Sequence, residues 1–414
     1  MRIAYIAADP GVPVFGRKGC SIHVQEVLRA MARRGAQIEL FATNCQGPAP
    51  EDLANVRLHP LPPAPKGDLA SREQKCLTAN SALREALESE GPFDLVYERY
   101  SLWSFAGMEY ARATRATGLL EVNAPLIQEQ AEHRGLVDRT GAERVRDRVF
   151  GAATALLAVS DEIAAHLLCF ADTRDKVHVV PNGVNPERFH RNSKVAPPAC
   201  RGTFTVGFVG SMKPWHGLSS LLEAFEVLYR RSPDSRLLLV GEGAGREKLA
   251  AEAASRGLAE GVYFTGAVAP EEVPGLLASM DVAVAPYPKL ANFYFSPLKV
   301  YEYMAAGLPV VASRAGQLEH LIESEVTGLL VEPGDVPALA AALERIRCEP
   351  QLRLRLGQAA RAKVLRDHTW DGAVQRILGL AGIDLTMQLK PLVGRPALRD
   401  PQRAGHTDPT ASAR

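Results

Sequence analysis

The chain has 414 residues, of which 46% are hydrophobic and 23% charged, and its formal net charge is +1. This is the balance of a globular protein long enough for two full cores. Near-neutral charge gives no electrostatic case for nucleic acid or an acidic polymer as partner.

In chain order, residues 3–7 read as a buried parallel strand, and the loop 9–19 (DPGVPVFGRKG) follows. Ser21 is placed to cap a helix over 22–34, and 37–42 is the next strand. Strand, glycine-bearing loop, helix, strand opens a Rossmann-like unit, although the loop has no GxGxxG. A Pro-rich segment over 58–65 leads to a helix over 72–88. A strand at 94–97, a helix over 102–114, a strand at 119–123 and one long polar helix over 129–150 come next. The strand 155–159 ends in Ser160-Asp161, a cap for the helix that follows, and 177–180 closes the first half. The Pro-bearing stretch 192–201 is the expected linker.

A second series then begins. Strands are expected at 204–209, 236–240, 262–264, 281–285, 309–312 and 328–331, and helices at 218–230, 246–256, 270–279, 336–347 and 351–365. Repeated strand–helix alternation predicts parallel sheets covered on both faces, in α/β domains. Residues 1–192 form the expected first domain and 201–366 the second, with a cleft between them. A C-terminal helix over 367–384 is expected to pack back on the first domain. The tail 395–414 has little apolar content and reads as disordered.

The stretch FYFSPLKVYEYMAAGLPVVAS, residues 293–313, carries the chemistry. The turn Ser296-Pro297 precedes a helix with Lys299 and Glu302 on its first turns. A helix start offers free N–H groups and a positive dipole end to an anion. Lys299 adds a mobile positive charge, and Glu302 a two-oxygen acceptor for vicinal hydroxyls. Diphosphate, ribose and sugar together make one ligand with those needs, a nucleotide sugar. The plain alternative is an amphipathic helix with ordinary surface charges.

The segments VGFVGSMKPWHGLSSLLEAF, LLLVGEGAGREKL, VYFTGAV, DVAVAPY and SPLKVYEYMAAGLPVVAS, in that order, resemble those of family-4 retaining glycosyltransferases. VFGRKGCSIHVQEVLRAMARRG, AVSDEIAAHL and VVPNGVNPERF extend the resemblance into the first half. The joint presence of KPWHG and SPLK is similar to one branch of that family. The resemblance implies the GT-B fold, two facing Rossmann-like domains, and a nucleotide-sugar donor, a UDP-sugar first. It assigns the donor ribose to Glu302 and the donor sugar and diphosphate to Ser296, Pro297, Leu298 and Lys299. Gly19 lets backbone approach the diphosphate from across the cleft, and Gly266 to Val268 lie beside the base.

The chain departs from that pattern in three ways. The first of the family's paired glutamates falls at Tyr294. The usual Arg and Lys after the first strand of the second half fall at Ser211 and His216, leaving Lys213 to supply charge. The histidine often beside the donor sugar falls at Asn123. Trp215 and His133 are further candidates for the donor or acceptor walls, with simple packing as their alternative. His23 and His216 read as structural, and Glu129 and Glu132 as ordinary helix charges.

Lys213 and Lys299 would act on the negative charge that develops on the leaving phosphate. No DxD-like pair is evident, so metal independence is expected, and no cofactor beyond the co-substrate. The six cysteines (Cys20, Cys45, Cys76, Cys169, Cys200, Cys348) form no CxxC or Cys/His pair at metal spacing and read as reduced. Residues 1–8 are too short for the apolar core of a signal peptide, and no apolar run reaches a membrane span. A cytoplasmic place is therefore expected, with peripheral membrane contact left open. The acceptor, small molecule, lipid-linked sugar or glycan, is not legible. A nucleotide-sugar epimerase of similar fold and a non-catalytic nucleotide-sugar binder stay as alternatives.

Overall fold

Along the first strand the side chains divide between two cores. Ile3, Tyr5 and Ala7 face one, Ala4 and Ile6 the other. Every face is apolar because a parallel sheet is covered on both sides. The computed structural model describes residues 1–63, 67–189, 203–290 and 293–383. The expected linker and tail lie outside these residues.

The first half holds strands β1 (Arg2–Ala7), β2 (Gln37–Ala42), β3 (Arg57–Pro60), β4 (Leu95–Arg99), β5 (Thr117–Val122), β6 (Ala155–Ala158) and β7 (Val177–Val179). Their order is β3-β2-β1-β4-β5-β6-β7, and every pairing is parallel. The second half holds β8 (Thr205–Val209), β9 (Arg236–Val240), β10 (Val262–Gly266), β11 (Val282–Ala285), β12 (Val310–Ser313) and β13 (Leu329–Val331), ordered β10-β9-β8-β11-β12-β13 and again parallel. In each sheet the order reverses beside the first strand of its series, β1 or β8. Open α/β sheets bind ligands at such a reversal, beyond the carboxyl ends of the strands.

Several expectations are corrected. The helix Gly19–Arg33 begins earlier than residue 22, and its N-cap is Lys18 without a side-chain bond. Ser21 therefore lies within the first turn, fully buried, and its Oγ has no partner among the described residues. The long helix over 129–150 is two helices, Leu126–His133 and Arg139–Ala152. Gly135 at φ +82° breaks the run, and Asp138 caps the second helix through Gly141 N at 2.7 Å. The Pro-rich segment over 58–65 contains the edge strand β3. An edge has one unpaired side, so it tolerates Pro60.

The helix Trp370–Leu380 lies against Gly19–Arg33. Trp370, 3% exposed, sits in the first half's core and meets His23 edge-on at 4.9 Å. Arg33 binds the Asp371 carboxylate through two bonds of 3.0 Å. The two chain segments that join the halves are also bonded to each other: Val184 N donates to His368 O (2.9 Å) and Trp370 N to Val184 O (3.1 Å). No described helix is long and apolar enough to cross a membrane.

Candidate functional site

The helix Leu298–Ala305 opens at Pro297, and no side chain caps it. Asn182, from the first half, fixes the turn before it by donating Nδ2 to Ser296 O at 2.8 Å. Ser296 Oγ lies 3.4 Å from Tyr301 Oη, which bonds Gln317, which in turn reaches Val159 O in the first half. Leu298 packs partly on the first half's core, and a Cβ on Gly19 would stand 3.9 Å from it. The start of this helix and the start of Gly19–Arg33 thus face each other at close range.

Lys299 leaves the first turn of its helix, and its ammonium is buried beneath the end of β8. Nζ has no hydrogen-bond partner among the described residues; it lies over Phe208 (4.1 Å) and Tyr287 (5.5 Å). A Cβ on Gly210 (φ +148°) would come within 2.9 Å of Nζ, so the glycine gives this cation its room. Burial pushes the amine down to about 7, partly opposed by Glu302. Lys299 as a whole is half-buried. A buried cation without a counter-charge is costly unless something pairs it.

Glu302 sits one turn further on. Its Oε1 accepts Arg188 Nη1 at 3.3 Å, and the same guanidinium donates to Pro270 O at 2.8 Å. Burial raises this carboxyl, Arg188 opposes, and Glu26 of the helix Gly19–Arg33 raises it further. Gly266 ends β10 at φ +72°, its carbonyl accepting Gly241 N at 3.1 Å, and Val268 packs partly on the core beneath.

Lys213 is exposed and stands over the Trp215 ring at 4.6 Å. His216 bonds Ser211 O through Nδ1. Burial and the charge of Lys299, with a smaller push from Lys213, drive it down to about 3. It is therefore a neutral spacer near two lysines. Trp215 stacks on His133 at 5.9 Å across the halves. Tyr294 Oη donates to Glu129 Oε2 at 3.3 Å, and Tyr294 O accepts Ser160 Oγ at 3.1 Å. A carboxylate from the first half therefore contacts the Tyr294 hydroxyl across the cleft.

Sequence reasoning missed the group that holds Asn123. Glu121 accepts from His23 Nε2 (2.7 Å), Arg99 Nη1 (2.9 Å), the Tyr97 hydroxyl and Asn123 Nδ2. These partners hold its carboxyl far below the usual range despite burial. A glutamate inside the apolar run Leu119-Leu120-Glu121-Val122 was the available signal, since buried carboxylates are almost always paired. The structure thus brings Ser296 to Lys299, Glu302, Gly19 and Gly210 to one seam. Lys213, Trp215, His133, Tyr294 and Asn123 stand around it.

Among the described residues, Glu39, His59 and Glu90 could hold a metal by spacing. Arg2 and Arg57 already pair with these carboxylates at 3.3 and 3.0 Å. The cluster is a charge-balanced network on the β2–β3 side.

Residues 17–188 match Glycosyltransferase Family 4, and residues 203–348 match Glycosyl transferases group 1. The D-inositol 3-phosphate glycosyltransferase of Actinosynnema mirum is 30% identical over 394 residues, covering 88% of this chain and 92% of that one. Sucrose-phosphate synthase from Thermosynechococcus elongatus superposes with a TM-score of 0.72 at 23% identity, covering 92% of this chain and 98% of the other. Anabaena HepE in complex with UDP gives 0.70 at 18%, covering 92% and 100%. The chain belongs to the group 1, family 4 glycosyltransferases and has their GT-B fold of two Rossmann-like domains.

Proposed function

We propose that the protein transfers a sugar from a UDP-sugar to a hydroxyl of its acceptor, with retention and without a metal ion. The observation that carries this is the buried, unpartnered Nζ of Lys299 at the uncapped start of Leu298–Ala305. An anion at that point gains a full counter-charge together with the positive end of the helix. Diphosphate is the anion for which Glu302, three residues beyond Lys299, supplies a ribose acceptor and Gly266 and Val268 a base wall. UDP is the nucleotide to try first because HepE, of the same fold, is seen with UDP and UDP-glucose.

In this reading Lys299, the helix start and Lys213 oppose the charge that grows on the departing diphosphate. That electrostatic role makes a divalent ion unnecessary. Gly19 presents backbone from the facing helix start, and Asn123, fixed by Glu121, meets the donor sugar. Tyr294 and Glu129 stand where a paired glutamate would, and this substitution bears on which hydroxyls are read. Trp215 and His133 close the cleft above.

Thermal shift with UDP, GDP and ADP and their sugars tests the donor, since a ligand of the native state raises its melting temperature. Slow release of free sugar from the bound donor marks a transferase. Appearance of an epimer would instead support an epimerase, and binding with no turnover a sensor. Failure of every uridine nucleotide to shift the transition would overturn the donor assignment.

A further inference from the structure

Asn123 directly follows β5, at the carboxyl end of the strand, where open parallel sheets bind ligands, and it is half-buried. Glu121, two residues before it, is 4% exposed. The donors that meet Glu121 divide evenly between its oxygens. Oε1 takes Arg99 Nη1 (2.9 Å) and Asn123 Nδ2, while Oε2 takes His23 Nε2 (2.7 Å) and the Tyr97 hydroxyl. Tyr97 is stacked on Tyr5 at 5.1 Å and His23 lies edge-on to Trp370, so these donors are themselves held in place. A carboxylate offers about four lone-pair sites, so this one is full and has none left for a ligand.

That arrangement decides how Asn123 is presented. An ionised carboxylate only accepts, so of the two ends of the Asn123 amide only the nitrogen can turn toward it. The carbonyl oxygen Oδ1 is thereby turned away from Glu121. It has no hydrogen-bond partner among the described residues and keeps access to solvent. Two cations of this region are already engaged: Arg99 is paired with Glu121 at 2.9 Å, and Arg134 with Glu129 at 2.7 Å. What the first half offers beyond the end of β5 is therefore an uncommitted acceptor.

We propose that Glu121 is a positioning residue that holds the Asn123 amide carbonyl-outward, and that Asn123 so presented determines donor specificity. Its Oδ1 accepts from a hydroxyl of the donor sugar and repels a sugar carboxylate. The proposal rests on the glycosyl-transfer reading, in which Asn123 meets that sugar. A hydroxyl has a hydrogen to give to Oδ1. A carboxylate in the same place has none near pH 7 and sets a full negative charge against a carbonyl oxygen. It gives up its water and gains no partner, which costs more than the hydroxyl's bond contributes. The histidine of the resembled family would differ here, because an imidazolium donates through both nitrogens. At this position the chain has exchanged a group able to donate for one that is held as an acceptor.

The test titrates the full chain by calorimetry with UDP and two matched pairs, UDP-glucose with UDP-glucuronate and UDP-galactose with UDP-galacturonate. The members of a pair differ only in a hydroxymethyl or a carboxylate. In each pair the neutral sugar is expected to bind at least about 100-fold more tightly. Asn123→Ala should weaken the neutral sugars about 3–10-fold and leave the UDP dissociation constant unchanged. Glu121→Gln places an N–H2 group beneath Asn123, so the carbonyl can turn inward and the amide N–H outward. The ratio within each pair should then shrink at least about 10-fold, from the loss of an acceptor and the gain of a donor. Lost stability alone would weaken both members alike and leave the ratio where it was. Uronates bound as tightly as their neutral partners, neutral sugars indifferent to Asn123→Ala, or a ratio unmoved in folded Glu121→Gln would each overturn the proposal. The wild-type pairs and Asn123→Ala decide even if Glu121→Gln folds poorly. A protein that fails to bind UDP refutes the donor reading instead, and titration with UDP alone separates the two failures.

Discussion

Replacing Lys299 with Met removes the charge and keeps most of the stem. Burial brings this amine from its ordinary 10.5 down to about 7. At pH 7 a displacement of that size corresponds to about 4 kcal/mol spent on keeping the group inside, from the value of one pKa step. Lys299→Met should recover part of this and raise the melting temperature. The sign with pH follows from proton counts. Between about pH 7 and 10.5 the folded chain binds fewer protons at this site than the unfolded chain, so stability rises with pH across that window. The gain from Lys299→Met is therefore largest below about pH 7 and fades toward 10.5. UDP affinity should move the other way, falling about 10–100-fold for one lost charge-assisted contact to phosphate. Differential scanning calorimetry and UDP titration read the two effects on one sample. Wild-type binding at pH 8 should also take up a proton, seen as a buffer-dependent heat. A less stable variant, or UDP affinity unchanged within a factor of about three, would refute the phosphate-clamp reasoning.

Gly19→Ala should leave stability nearly unchanged, because its Cβ meets only Leu298 at 3.9 Å, yet weaken UDP binding where backbone must approach the diphosphate; paired melting and titration curves check this. Glu121→Gln should cost about 3–5 kcal/mol, since it leaves Arg99 buried opposite a neutral amide. Because Glu121 is held below its ordinary 4.5, its stabilisation is present above that pH and lost as the pH falls below it, so the variant should lack the wild type's fall in stability in urea titrations run from pH 5 downward. Activity should persist in excess EDTA; full loss restored by Mn²⁺ would refute metal independence. Tyr294→Phe, which removes the contact to Glu129, should shift the ranking among UDP-sugars more than UDP affinity, as a donor panel would show.

Periodicity carried the fold because buried parallel strands such as Leu237-Leu238-Leu239 read as continuous apolar runs. It failed where two signals overlapped. Pro60 masked β3, and the polar residues around Gly135 hid the break between Leu126–His133 and Arg139–Ala152. The helix that offers Lys299 and Glu302 was legible from the Ser-Pro turn before an amphipathic run. The partners of those residues were not. Arg188 lies 114 residues from Glu302, and Glu129 lies 165 from Tyr294, separations that no local pattern spans.

The bonds between Val184 and the pair His368 and Trp370 constrain how the halves can move. The chain passes out of the first half and returns to it through segments pinned together at one point, and Gly183 packs so closely there that a Cβ would meet Thr369 at 2.6 Å. Such a pin resists translation and leaves rotation about itself as the cheap motion. A motion of that kind would open the cleft as a jaw does, widest at the edge remote from the pin. Donor entry should accordingly depend on the contacts that latch the jaw shut, His133 on Trp215 and Tyr294 on Glu129, more than on any loop within either half.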